Sequence, residues 1–439
     1  MMQTIIFSKF IFPIIAFSSR IKLIHFLFIL IFISPFSEGV ANDSVDIGRA
    51  LLWNLLGWSS LLVTITLGMN KIRFSHQEKY IYLLIIFHLI TIYTSKFLTP
   101  VFGDQRGLSD MTLLIPVNVI SCGLMVYYIK DKRKLELFVN TLVTFFVLLT
   151  IFHFIIWIFG INALWKDNAR FSGIFWDPNI HVRNVSIFLA FLFLYKIKNV
   201  KSLIQKSILI SVSIMGLILS NFSYSRSGAV CLVVAILWAS WKNFSKKHFT
   251  WILVVVSILG TLFLASTIEN RFKKDSFVKG SKVIDFSTLQ RVLMIDSAFR
   301  ILEEHWLLGV GFGNFDNNYL KHYHSPLAKP FLKGKIVVTS IHTWFLKIWT
   351  EQGLLGLLSI IGFTFLILKR LWHISTKARD EKLVQITNCV ILGLFMFYFF
   401  GITYHTFIYE HFYWVILGFA LCVIRIYSQE EESLNQSVV

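Results

Sequence analysis

The chain has 439 residues, of which 56% are hydrophobic and 15% charged, and its formal net charge is +18. With a mean hydropathy of +0.68 it is too apolar for a water-soluble globule. Its basic excess is spread among hydrophobic runs of bilayer-spanning length instead of gathering in a nucleic-acid patch, which excludes that class too.

In chain order, apolar spans fall at about 22–36, 47–68, 80–96, 110–129, 136–160, 184–197, 203–221, 227–241, 249–267, 342–368, 383–402 and 407–424. They have helix length and lack the alternating ten-residue pattern of a membrane barrel. In hydrocarbon, backbone groups must be satisfied within the segment. The sequence therefore predicts an all-α polytopic membrane protein of about 12 transmembrane helices, with one large extracytoplasmic loop containing amphipathic helices. Nineteen Lys and Arg fall in the loops on one side, from Lys71 to Lys382, against six in the short loops on the other. The positive-inside rule makes the first set cytoplasmic.

Residues 1–41 carry a basic flank, an apolar core and Gly39-Val40-Ala41, and they read as a signal anchor or a cleaved signal peptide. Both readings put Asn42 outside. The organisation expected is spans one to nine over 1–267, a periplasmic loop over 268–341, spans ten to twelve over 342–428, and a cytoplasmic tail over 429–439. Cys122, Cys231, Cys389 and Cys422 all lie in apolar runs with no CxxC or Cys/His grouping. They are read as small buried side chains, not as disulfides or zinc ligands.

The large loop holds eleven basic residues against seven acidic ones. An outer loop has no topological reason to be basic, so an anionic ligand is the natural cause. Within it, Thr288 to Gly309 has apolar residues at helical spacing and reads as an amphipathic helix on the membrane surface. Gly309, Gly311 and Gly313 then break it. Their spacing is not that of a dinucleotide fingerprint, and they read as a turn that permits close backbone packing.

Three outer-facing stretches carry polar groups: RFSGIFWDPNIHVRN (Arg170 to Asn184), NFSYSRSG (Asn221 to Gly228), and the large loop with Arg291 and, at its end, His342. Arg183 reads as a snorkelling interface residue. Arg170 and Arg226 sit among glycine, serine and asparagine, where a guanidinium suits phosphate oxygens. No DxD, HExxH or carboxylate cluster marks a metal site. A diphosphate leaving group needs only a base for the attacking hydroxyl, and His342 is the outer-facing candidate. Across SIHTWFLKIWTEQGLLG, His342 and Trp349 are expected on one helix face. Lys347 and Glu351 are expected to pair on another, facing water or headgroups.

SYSRSGAV, then TLQRVLMIDSAFRILEEHWLLGVGFGNF, then IHTWFLKIWTEQGLLGLL resemble the O-antigen ligase / O-antigen polymerase superfamily, and RFSGIFWDPN is similar to its upstream arginine loop. The resemblance implies a multi-pass glycosyltransferase of the GT-C type in the bacterial inner membrane, without metal or cofactor, its site facing the periplasm. Arg226 and Arg291 would bind the diphosphate of an undecaprenyl diphosphate-linked glycan, Arg170 would be a third contact, and His342 the base. The implied partners are that donor, a glycolipid acceptor (lipid A–core for a ligase) and the bilayer, with no nucleic acid. A polymerase would use the same donor with a lipid-linked repeat unit as acceptor. Thr343 departs from the asparagine common after the histidine. A transporter is the competing class, but ion coupling requires ionisable residues mid-span. The span centres offer little beyond histidines such as His88 and His153, and no internal repeat is visible.

Overall fold

The computed structural model describes residues 76–98, most of 115–160, 165–166, most of 170–253, 276–279, 282–315, 322–326, 341–402 and 410–438. The spans expected at 22–36 and 47–68, and most of that at 249–267, lie outside the described residues. Within them run α1 (His76–Leu98), α2 (Lys132–Ile158), α3 (Pro178–Asn199, with a π turn at Leu192–Lys196), α4 (Leu203–Asn221), α5 (Arg226–Asn243), α6 (Phe286–His305), α7 (Trp344–Lys377), α8 (Glu381–Gly401) and α9 (His411–Val438). Two small antiparallel hairpins accompany them: β1 (Trp165–Lys166) with β2 (Arg170–Phe171), and β3 (Ser276–Lys279) with β4 (Lys282–Asp285).

Six of the described helices, α2, α3, α4, α7, α8 and α9, are long and apolar enough to cross a membrane. This is a polytopic helical membrane protein. The centre is α3, α8 and α9, whose most apolar windows are 83%, 78% and 89% buried, while α2, α4 and α7 bury only 33–39% and turn apolar sides outward. Lipid tails are as apolar as leucine, so helices in a bilayer are held by packing and polar ties more than by water exclusion. Such ties are present: His88 Nδ1 lies 2.8 Å from Ser359 Oγ, and the Tyr398 and Tyr413 hydroxyls are 2.8 Å apart. Arg425 donates to the Val126 carbonyl at 2.9 Å. All four cysteines are buried and free.

The helix ends refine the sequence reading. The last span, expected at 407–424, belongs to a helix that continues to Val438, through the stretch read as a tail. Its acidic extension reaches the basic ends of earlier helices, because Lys132 contacts both Asp380 and Glu430 at 2.7 Å and Arg370 pairs with Glu431. Lys382 meets Glu136 at 2.7 Å on the same side. Asp380 is also the N-cap of α8. Burial by itself raises the Asp380 carboxyl, but the hydrogen bonds and charge of Lys132 and the helix N–H groups outweigh that and hold it below its ordinary range.

Arg183 is corrected outright. It does not snorkel but is fully buried, where its guanidinium forks onto the Glu410 carboxylate, donating from Nη1 at 2.8 Å and also from Nη2. Asn184 Oδ1 accepts from its Nε at 3.2 Å and from its Nη2 at 2.9 Å. The planar cation lies 4.3 Å from the Phe397 ring centroid and 5.3 Å from that of Phe400. The pair ties α3 to α8 and to the start of α9. A buried charge requires such pairing, since its desolvation costs several kcal/mol.

Candidate active site

At the end of the bundle marked by Arg183 and Glu410, the chain reverses repeatedly, and helices α3, α5, α7 and α9 all begin there. Asp177 caps α3, its carboxylate accepting from the Asn179 amide at 2.7 Å. Ser225 caps α5, its Oγ accepting from Gly228 N at 3.0 Å and its carbonyl from Ala229 N at 2.9 Å. Arg226 is the first residue of α5, where unsatisfied N–H groups and the helix dipole favour an anion. Gly228 lets α5 close on α3, because a Cβ there would stand 2.6 Å from Val182 Cβ.

Arg170 reaches the same place from β2. Its Nε donates to the Ser223 carbonyl at 2.9 Å and its Nη2 to Asn179 Oδ1 at 3.2 Å. Phe171 N donates to the Phe222 carbonyl at 3.0 Å, and Ser223 Oγ to the Phe171 carbonyl at 2.7 Å. Beneath this strand, Phe171 and Phe175 pack on the His153 and His181 rings. Arg170 thus holds the α4–α5 turn, in which Tyr224 adopts φ +47°, and so supports the residue three places before Arg226.

His342 is placed by a different device. The expected helix through it begins only at Trp344, with Thr343 as N-cap in extended conformation. His342 is therefore half-buried just ahead of the helix, and its face shared with Trp349 does not exist. Inside α7, Gly353 takes φ +70° and ψ −174° and breaks the helix into an arm, 344–352, and a long span. Tyr398 touches both the Trp344 ring, at 5.4 Å, and the Thr364 hydroxyl. A straight helix would hold those two residues about 30 Å apart, so the arm folds back over the end of α8.

The glycine turn after α6 plugs into this break. Val310 N donates to the Thr350 carbonyl at 2.8 Å and Gly311 N to the Glu351 carbonyl at 2.9 Å. The Trp306 carbonyl accepts from Leu354 N at 3.0 Å and from Trp349 Nε1 at 2.9 Å. The backbones touch so closely that a Cβ on Gly309 would meet the Glu351 carbonyl carbon at 2.5 Å. This is the close-packing turn that the glycine spacing predicts. The arm is also where Lys347 and Glu351 sit, and their pairing at 3.9 Å is buried, with side chains 8% and 2% exposed. The expectation that they face water fails because the kink lays that face of the arm against protein.

Arg291 is half-buried on α6, on the side of Met294 and Ala298, whose side chains share a core with Ile341 and Leu346 on either side of His342. The return segment is fastened to α6 as well. The Tyr323 hydroxyl bonds the Glu304 carboxylate, while within α6 itself Arg300 Nε donates to Asp296 Oδ2 at 3.0 Å. Burial raises the Asp296 carboxyl, yet hydrogen bonds from Ser325 and Arg300 hold it below its usual range. Arg170 and Arg226 therefore share one turn, and Arg291 and His342 flank one core. The two sets lie at the same bundle end, one through Gly228 against Val182 of α3 and the other through Trp344 on Tyr398 of α8.

Sequence reasoning missed the polar group on the arm, Lys347, Thr350, Glu351 and Gln352, all buried, and the Arg183–Glu410 pair. Only the i,i+4 spacing of Lys347 and Glu351 hinted at the former. Among the described residues no three of His, Cys, Asp or Glu gather as metal ligands. No curated protein matches the chain. Residues 208–361 match the family model described as O-antigen ligase, a stretch that contains Arg226, Arg291 and His342 and leaves Arg170 outside. Over that stretch, from α4 into the span of α7, the resemblance to the O-antigen ligase / O-antigen polymerase superfamily holds.

Proposed function

We propose that the protein is a glycosyltransferase of the O-antigen ligase type that works on the periplasmic face of the bacterial inner membrane. It transfers a glycan from undecaprenyl diphosphate to a hydroxyl of lipid A–core. The observation that supports this most is that Arg226, at the N-terminus of α5, and His342, just ahead of the arm of α7, belong to elements that begin at the same end of the bundle, both inside the matched stretch. Arg226 and Arg291 would fork onto the diphosphate oxygens and stabilise charge as it develops, with Arg170 as a third cation that also braces the turn. His342 takes the proton of the acceptor hydroxyl, the freed oxygen attacks the anomeric carbon, and the bond from that carbon to the diphosphate breaks with its electron pair leaving on phosphate. No metal or cofactor enters this scheme. A polymerase differs only in the acceptor, a second lipid-linked repeat unit.

The lipopolysaccharide banding of a deletion strain separates the readings. Loss of all O-antigen from lipid A with polymer retained on the lipid carrier means ligase, and a single capped repeat means polymerase. An unchanged pattern refutes both. In the same strain, Arg226→Lys and Arg291→Lys are each expected to lower transfer about 10- to 100-fold, the loss of one charge-assisted hydrogen bond. Both should accumulate like the parent. Arg183→Lys should instead lower accumulation, since its guanidinium is already paired with Glu410. Full transfer by both lysine variants would mean that other groups hold the diphosphate.

A further inference from the structure

Helix α6 has three faces where an amphipathic helix needs two. The apolar face visible in the sequence, with Leu289, Leu293, Ala298 and Ile301, is buried against Ile341 and Leu346. It is covered by protein, so it cannot be the side that meets a membrane. A second apolar strip remains outside: Val292 is 48% exposed, Phe299 51% and Trp306 50%, with Ile295 half-buried between them. Their spacing of three, four and seven residues puts them on one side of the helix. The remaining surface is charged, with Asp296 and Arg300 partly exposed and Glu303 and Glu304 exposed.

We propose that this second strip is an interfacial surface that lies in the headgroup and acyl boundary of the bilayer, beside the end of the bundle where Arg226 and His342 sit. Two features commit it to lipid over a protein partner. First, the strip runs on through the exposed Leu307 and Leu308 to the carbonyl of Trp306, which is bonded to Leu354 and Trp349 where the span of α7 starts. Second, that span continues the apolar surface outward with Leu355, Leu358 and Ile361, 40%, 54% and 46% exposed. Exposed apolar residues thus stand on both sides of the junction between a membrane span and α6, with charged residues along the helix's other edge, as a helix lying in the interface plane requires. Trp306 stands at the junction, where tryptophan is favoured at the membrane–water boundary. Arg291 lies one turn before Ile295, at the head of the strip. On the transfer reaction proposed above, the depth of α6 would therefore set the height of Arg291 relative to the membrane surface.

The test is independent of transfer activity. The four native cysteines are buried, so nitroxide labels can be placed on the full chain at Val292→Cys, Phe299→Cys and Glu304→Cys, the last on the far side of the helix from the strip. The labelled protein is then reconstituted in phosphatidylethanolamine–phosphatidylglycerol bilayers. Labels at 292 and 299 should be relaxed more by oxygen than by a water-soluble nickel chelate, and the order should reverse at 304. Stronger relaxation by the chelate at 292 and 299 would put the strip in water and overturn the proposal. Shielding from both reagents would mean that protein, another part of this chain or a second copy, covers it, and would overturn it equally.

Discussion

Replacement of His342 by alanine is expected to lower glycan transfer by about 10²- to 10⁴-fold, the usual contribution of a positioned general base, while the protein accumulates like the parent. Both halves follow from where the residue sits. His342 lies ahead of α7, whose N-cap is Thr343 and whose first residue is Trp344, so alanine removes no helical hydrogen bond. The neighbours that fix its position, Ile341 and Leu346 in the α6 core and Trp344 on Tyr398, are untouched. Donor binding should largely survive, because on the proposed scheme the arginines hold the diphosphate. The measurement is transfer from lipid-linked donor by the purified variant, alongside donor retention and yield. A stable His342→Ala protein with parental transfer would sink the base assignment and leave SIHTW as a connection into a membrane helix.

Much of the fold is legible because hydrocarbon imposes a single solution on each apolar run. The span read at 203–221 coincides with α4, and that read at 227–241 differs from α5 by one or two residues at each end. Ends blur where a helix continues past the apolar run for other reasons. Acidic residues after Tyr427 find Lys132 and Arg370 as partners, so α9 does not stop at the membrane edge. The arginines with chemical promise are visible from their polar surroundings, but their partners are not. Arg183 looks like an interface residue until Glu410, 227 positions away, is brought against it. No local pattern encodes a pairing of that separation. The break in α7 is hidden for a related reason. A glycine in an apolar helical run is tolerated at about 1 kcal/mol, so Gly353 reads as ordinary. What makes it a hinge is a second glycine turn, on the far side of the loop, filling the gap it leaves.

That hinge gives the second large effect. Gly353→Ala is expected to cost roughly 3–5 kcal/mol and to abolish transfer even though no reacting group is touched. At φ +70° and ψ −174° only glycine is at ease, and an L-residue pays about 1–3 kcal/mol in strain. The added Cβ would also stand 2.0 Å from the Leu307 carbonyl oxygen and 2.6 Å from the Leu308 carbonyl carbon. Backbone must shift there, loosening the bonds from Leu354 N and Trp349 Nε1 to the Trp306 carbonyl, about 1 kcal/mol each. With them goes the docking of α6 on the arm, and hence the placement of Arg291 relative to His342. Gly309→Ala should reproduce the defect from the other side, since its Cβ would meet Gly353 N at 2.6 Å. Gly362→Ala, one helical stretch further along the same span, is the control. Its Cβ would meet only Leu84 Cδ1 at 3.4 Å, and alanine is the better helix former, so it should be neutral or mildly stabilising. Thermal stability and transfer, measured on all three variants in detergent and in bilayers, decide the matter. Should Gly353→Ala melt and transfer like Gly362→Ala, the arm is not held by this junction, and the link between the loop and His342 must lie elsewhere.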